Sequence, residues 1–161
     1  MGERGYAGTT VSNVTQAAAV SKATFYRNFD GLPSCMLATY RLATEGVLEV
    51  IGLACRRRLS PEAGLAEILP GVLEFLQAES ALARVLTDPA LDDVPGVSVA
   101  RAEFTARCCS LLISARGRQG NHEADRRAQH LVRGMQGWLA MRLALEEGFD
   151  HPEELARILA L

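Results

Sequence analysis

Apolar residues recur along this chain at three- and four-residue steps, and no stretch sustains the in-out alternation of a strand. The pattern predicts an all-α protein. Thr10 precedes a short helical run over Val11–Ala18, with Val14 and Ala17/Ala18 expected to face inward. After the short connection Ala19-Val20, Ser21 caps a second short helix reaching about Phe29, its hydroxyl placed to accept a first-turn N–H. Asp30-Gly31 ends that helix. A long helix is expected from Leu32 or Pro33 to Arg57, with Met36, Tyr40, Ala43, Val47, Ile51 and Ala54 on one face. The cations of Arg56-Arg57-Arg58 suit the negative end of its dipole.

Ser60-Pro61-Glu62 has the form of a new helix start, with the proline at the first helical position. That helix is expected to reach about Gln77 and to bend at Pro70-Gly71. A short helix over Ser80–Leu86 follows, then a loop from Asp88-Pro89 through Pro95-Gly96. An amphipathic helix from Ser98 to about Arg116 carries Phe104, Cys108, Leu111 and Leu112. Gly117–Asn121 reads as a polar turn, and His122 to Glu147 as a long helix. Asp150-x-x-Glu153 resembles a capping box ahead of a last helix, Glu153–Leu161.

With 161 residues, 48% hydrophobic and 22% charged, the chain can form one packed helical domain and a small appended one. No apolar run approaches the roughly 20 residues that cross a bilayer, and no basic-then-apolar signal segment opens the sequence. The expected location is the cytoplasm, without a membrane partner. The four cysteines (Cys35, Cys55, Cys108 and Cys109) form no C-x-x-C pair and read as buried thiols. The adjacent thiols Cys108-Cys109 point about 100° apart on a helix and chelate poorly. His122-Glu123 lacks a histidine at metalloprotease spacing, and no Ser-His-Asp set, phosphate loop or dinucleotide fingerprint occurs. No enzyme activity, metal or cofactor is therefore expected. Heavy use of Arg, Ala, Gly and Leu, with Lys22 the only lysine, suggests a GC-rich bacterial source. The net charge of −2 divides unevenly, with +3 over residues 1–58 and −5 beyond. A basic front on an acidic body suits a chain that offers one end to a polyanion.

Residues 5–40 carry the chemistry. A helix that reads the major groove must present small or hydrogen-bonding residues near its start and bury its other flank. In the second short helix Val20, Phe25 and Phe29 are expected to be buried, and Lys22, Ala23, Thr24, Arg27 and Asn28 to be open. Lys22, Ala23, Thr24 and Asn28 would read bases. Arg27, Tyr26 and Thr10 would position the protein on phosphates. Thr10 and Ser21 also sit at helix starts, where N–H groups attract phosphate oxygens.

The segment resembles the DNA-binding region of the TetR family of transcriptional regulators. The resemblance rests on Gly5-Tyr6, Thr9-Thr10-Val11, Val14, Ala17-Ala18 and the run Val20, Ser21, Lys22, Thr24, Phe25, Tyr26, Phe29. It implies an N-terminal helix-turn-helix, residues 1–40, running into a connecting helix over 32–57. It also implies a helical-bundle body, 58–161, that dimerises and binds an effector. Three positions depart from the family's pattern. Ala19 stands where the family has a turn glycine, and costs about 1 kcal/mol if the backbone keeps a positive φ. Leu32 replaces a phosphate-contacting lysine. The family's first helix lies ahead of the Gly-Tyr pair, where this sequence has Met1–Arg4; Glu3-Arg4-Gly5-Tyr6 resembles the tail of that helix, so a start upstream of Met1 is expected.

In the body, Gly134, Gly137, Met141 and Ala144 form a row of small or flexible residues beside a bulky row of Leu131, Met135, Trp138 and Leu145. Leu131–Leu145 and Leu155–Leu161 are assigned to a homodimer interface, as the resemblance implies; the alternative is that both rows pack inside one subunit. An effector cavity is expected among the middle helices, with Phe75, Phe104, Leu112, Met135 and Trp138 as walls and Thr105, His130 and Gln136 as polar contacts. The same spacing also suits ordinary core. The apolar set points to a small hydrophobic effector. The function these features indicate is a homodimeric repressor that binds an operator in double-stranded DNA and is released by a small molecule. The alternative is a truncated regulator-like protein that dimerises or binds ligand without stable DNA binding.

Overall fold

A computed structural model describes residues 5–56, 64–115 and 122–144. Every regular element among them is helical. The expected helix start at Ser60-Pro61-Glu62, the turn at 117–121, the last helix and Leu145 lie outside the described residues.

The first two helices are set by local chemistry. Helix α1, Val11–Ala17, starts at Thr10, whose Oγ1 accepts from Asn13 N–H at 3.2 Å while Asn13 Oδ1 accepts from Thr10 N–H at 3.0 Å. This reciprocal box satisfies donors that a helix start otherwise leaves open. Helix α1 ends in a Schellman turn: Val20 N–H donates to Thr15 O at 3.0 Å and Ala19 N–H to Gln16 O at 3.2 Å. That turn needs a left-handed residue, and Ala19 supplies it with φ 53°. Helix α2, Lys22–Asn28, begins where Ser21 Oγ accepts from Thr24 N–H at 3.0 Å. The chain then turns through Gly31 into α3, Leu32–Arg56. Ser34 Oγ donates to Gly31 O at 3.0 Å in its first turn.

Helix α3 is the spine. It packs against α4 (Gly64–Ala78), α5 (Ser80–Thr87) and α6 (Val97–Ala115), and α6 packs against α7 (His122–Ala144). Its inward face, Met36, Tyr40, Ala43, Val47 and Ile51, is buried as its spacing predicts, and Ala54 is half-buried. Full burial of such large side chains is worth about 1.5–3 kcal/mol each. Helices α3 and α4 approach closely at Gly46, where an added Cβ would lie 2.5 Å from Phe75 Cζ.

The core has two parts. The larger lies between the second half of α3 and helices α4–α7, and includes Val47, Ile51, Val72, Leu76, Cys108, Val132 and Trp138. The smaller lies beside the helix-turn-helix and gathers Met36, Tyr40, Val85, Leu91, Val94, Val97 and Ala100, with Tyr6 and Leu32 packed on its edge.

Several expectations are corrected. The stretch expected as a loop contains a 3-10 helix, Pro89–Asp93, because Asp88 Oδ1 accepts from Ala90 N–H at 2.9 Å and Leu91 and Val94 are buried beneath it. Ala17 and Ala18 are exposed, since α1 turns Thr15 inward and leaves Val14 half-buried. On α7, Met135 and Trp138 of the bulky row are buried within the subunit's own core. The exposed residues at those turns include Arg133, Gly137 and Met141.

Candidate functional site

Helix α2 is held from beneath by one residue. Phe25 is 3% exposed, with Tyr26 edge-on to its ring at 5.3 Å and Phe29 tilted against it at 5.4 Å. The opposite flank is open. Ser21, Lys22, Ala23, Tyr26, Arg27 and Asn28 are all exposed, and Thr24 is half-buried. Neither Lys22 nor Arg27 is ion-paired among the described residues. Both cations are therefore available to a phosphate or a base edge.

Part of the polar surface is already committed. Ser21 Oγ and Thr24 Oγ1 lie 3.0 Å apart, and Asn28 Nδ2 donates to Thr24 O at 2.8 Å. Thr10 Oγ1 is engaged in the cap of α1. These bonds fix the first turns. Lys22, Ala23, Tyr26 and Arg27 then form the unencumbered surface. Val20, expected to be buried, is 41% exposed among the described residues.

The reader is tied to the body through its leading segment. Thr9 N–H donates to Tyr6 O at 3.0 Å and Thr9 Oγ1 to Gly5 O at 2.6 Å, closing a turn ahead of α1. Tyr6 N–H in turn donates to Asp88 Oδ2 at 2.9 Å.

Two short helices joined by a tight turn, the second with a buried root and a cationic free flank, constitute a helix-turn-helix domain. Residues 1–31 match the family model described as "Bacterial regulatory proteins, tetR family". The chain thus carries a TetR-type helix-turn-helix domain at its N terminus, which implies a DNA-binding transcriptional regulator; regulators of this family are generally not enzymes. Comparison with curated proteins gives no match. No helix among the described residues is long and apolar enough to cross a membrane.

The body holds a cavity of about 220 Å³. Its walls come from Val47 of α3, Val72 and Leu76 of α4, Ala83, Leu86 and Thr87 of α5, Arg101 and Phe104 of α6, and Met135, Gln136, Gly137 and Ala140 of α7. Of the expected walls, Phe104 and Met135 line this space. Phe75 packs instead against Gly46, and Leu112 and Trp138 belong to the surrounding core. Thr105 stands behind the wall, where it accepts from Gln136 Nε2 at 3.5 Å. His130 is exposed and does not reach the cavity. Arg101 was not among the expected contacts, although it falls between Val97 and Phe104 at the helical spacing of a buried face.

Proposed function

We propose that the chain is a homodimeric one-component repressor, released from its operator by a small, largely apolar molecule bound in the α3–α7 cavity. One observation carries this reading. Leu86 and Thr87 belong to the cavity wall, and the next residue, Asp88, accepts the hydrogen bond from Tyr6 of the reader. A ligand that shifts the end of α5 therefore acts on the attachment of the DNA-binding head. Helix α3 gives a second connection, since it begins at Leu32 beside the reader and reaches the cavity at Val47.

The mechanism is a population shift. The effector favours a head arrangement in which the two recognition helices miss successive major grooves, which are about 34–36 Å apart. Two-fold pairing through the exposed side of α7, around Gly137 and Met141, would supply the second head. Genome-wide capture of DNA bound by the purified chain, followed by gel shifts on the recovered fragments, tests the reading. Salt-sensitive, sequence-selective binding by a species of twice the monomer mass supports it. Absence of selective binding, or binding that no cavity ligand weakens, overturns it.

A further inference from the structure

We infer that Arg101 and Asp92 are positioning residues for the DNA-reading head. Their ion pair holds the 3-10 helix in register on α6, and with it the tie between Asp88 and Tyr6. Arg101 also belongs to the cavity wall, so filling the cavity acts on that hold. The inference rests on the effector reading above and names the side chains that link its two ends.

The 3-10 helix carries the reader's tie at one end and the ion pair at the other. Asp88 caps its start and accepts from Tyr6 N–H at 2.9 Å, and Asp92 near its end places Oδ1 2.8 Å from Arg101 Nη2. The backbone bonds of this segment, Leu91 N–H to Asp88 O at 3.2 Å and Val94 N–H to Leu91 O at 3.0 Å, are of the 3-10 type, which holds weakly. Buried Leu91 and Val94 fix its depth, but apolar burial is non-directional. A charged pair has direction, so Asp92 and Arg101 set where the helix lies along α6.

The arginine is held in place for this role. Its Nε and Nη2 are closed to water, and among the described residues Asp92 is the carboxylate paired with them. The Tyr40 ring lies 5.6 Å from the guanidinium carbon, and Tyr40 is buried in the smaller core, with Tyr6 packed on the edge of that core. The Asp92 side chain is 59% exposed and the Arg101 side chain 31%, so breaking the pair falls mainly on the arginine, whose shielded edge is left unpaired. Phe104, about one turn along α6, lines the cavity together with Arg101. A molecule packed on Phe104 therefore meets the side chain that holds Asp92.

Amide hydrogen exchange of the full chain, read residue by residue by NMR, tests this. Asp92→Asn removes the charge at an exposed position and leaves the core untouched; Arg101→Gln and the double variant complete the cycle. Tyr6 N–H is expected to exchange at least about tenfold faster in Asp92→Asn, with the Val47 and Ile51 amides of α3 within about twofold of native. The double variant is expected to add nothing to either single change, since the pair acts as one unit. Benzene, which fits a dry apolar cavity of about 150 Å³, is the cavity probe; at saturation it is expected to speed Tyr6 exchange in the native chain and not in Asp92→Asn. Native Tyr6 exchange in Asp92→Asn overturns the inference and leaves the effector reading standing. Equal acceleration of Tyr6 and the α3 amides also overturns it, because that is a general loss of stability. Bound benzene that leaves native Tyr6 exchange unchanged overturns it too. Benzene that does not bind, by calorimetry, overturns it together with the effector reading.

Discussion

Tyr6 N–H donates to Asp88 Oδ2 across 82 residues of sequence, while the other oxygen of the same carboxylate caps the 3-10 helix at Ala90. One side chain thus joins the segment ahead of α1 to the junction after α5. Asp88→Ala removes both acceptors and leaves a part-buried amide unmet. The expected loss is about 1–3 kcal/mol of unfolding free energy, read from the urea midpoint at unchanged slope. Asp88→Asn keeps a carbonyl acceptor and should lose less. A native midpoint in the alanine variant would mean that the tie carries no energy.

The turn between α1 and α2 stores a small strain. Ala19 holds φ 53°, where an L-residue pays a steric cost that glycine does not. Ala19→Gly is expected to stabilise the chain by about 0.5–1 kcal/mol, reduced somewhat by the greater freedom of glycine in the unfolded state. Ala19→Val should destabilise it by more than that, since a β-branched side chain tolerates this region worst. Thermal unfolding of the three proteins gives the order directly. A glycine variant less stable than the native chain would contradict it.

What was legible in the sequence was mostly local. Caps act over three residues, so Thr10 and Ser21 announced α1 and α2, and the spacing of Met36 through Ile51 announced the buried face of α3. The TetR-type reader followed from the same stretch. What depends on distant packing was less legible. Val20 looked buried by type but stands at the surface, and Asp88 looked like a loop residue because its partner Tyr6 is far away in sequence. Among the described side chains of α7 the buried ones are Val132, Met135 and Trp138. His130 lies about 200° around the helix from Val132, which explains why it faces out. Arg101 drew no expectation from the sequence, although Val97 and Phe104 on either side of it along the same face are buried.

The reader surface makes separable predictions for its two cations. If Arg27 meets phosphate, Arg27→Ala weakens binding to all sequences alike and lowers the slope of log affinity against log salt by about 0.9. If Lys22 meets a base edge, Lys22→Ala costs about 1–3 kcal/mol on the preferred site and relaxes the preference at one base position. Tyr26→Ala should also weaken binding without altering the mass of the assembly, because the residue is 57% exposed and its ring rests edge-on against Phe25. Fluorescence anisotropy on captured DNA at several salt concentrations separates these effects. Unchanged affinity in all three variants would remove α2 from the groove.

Stability should fall steeply in alkali. Burial, with a smaller contribution from Cys109, pushes the Cys108 thiol from 9.0 up to about 12. The folded state therefore keeps this proton after the unfolded chain has released it. The stabilisation is present in full below about pH 9 and is lost as pH rises toward 12, on the order of a few kcal/mol in all. Burial also raises Cys35, Cys55 and Tyr40, so their loss runs in the same direction. Cys108→Ala should flatten the fall in urea midpoint between pH 8.5 and pH 10.5 without abolishing it (roughly the first half of the window). Alkylation at pH 8 gives an independent reading. Half-buried Cys55, whose Sγ donates only a long bond to Leu111 O at 3.8 Å, should react before Cys108. Cys108 should label only as the chain opens, because reaction requires a thiolate that the core disfavours. Rapid labelling of Cys108 in the native protein would show that α6 does not bury it as described.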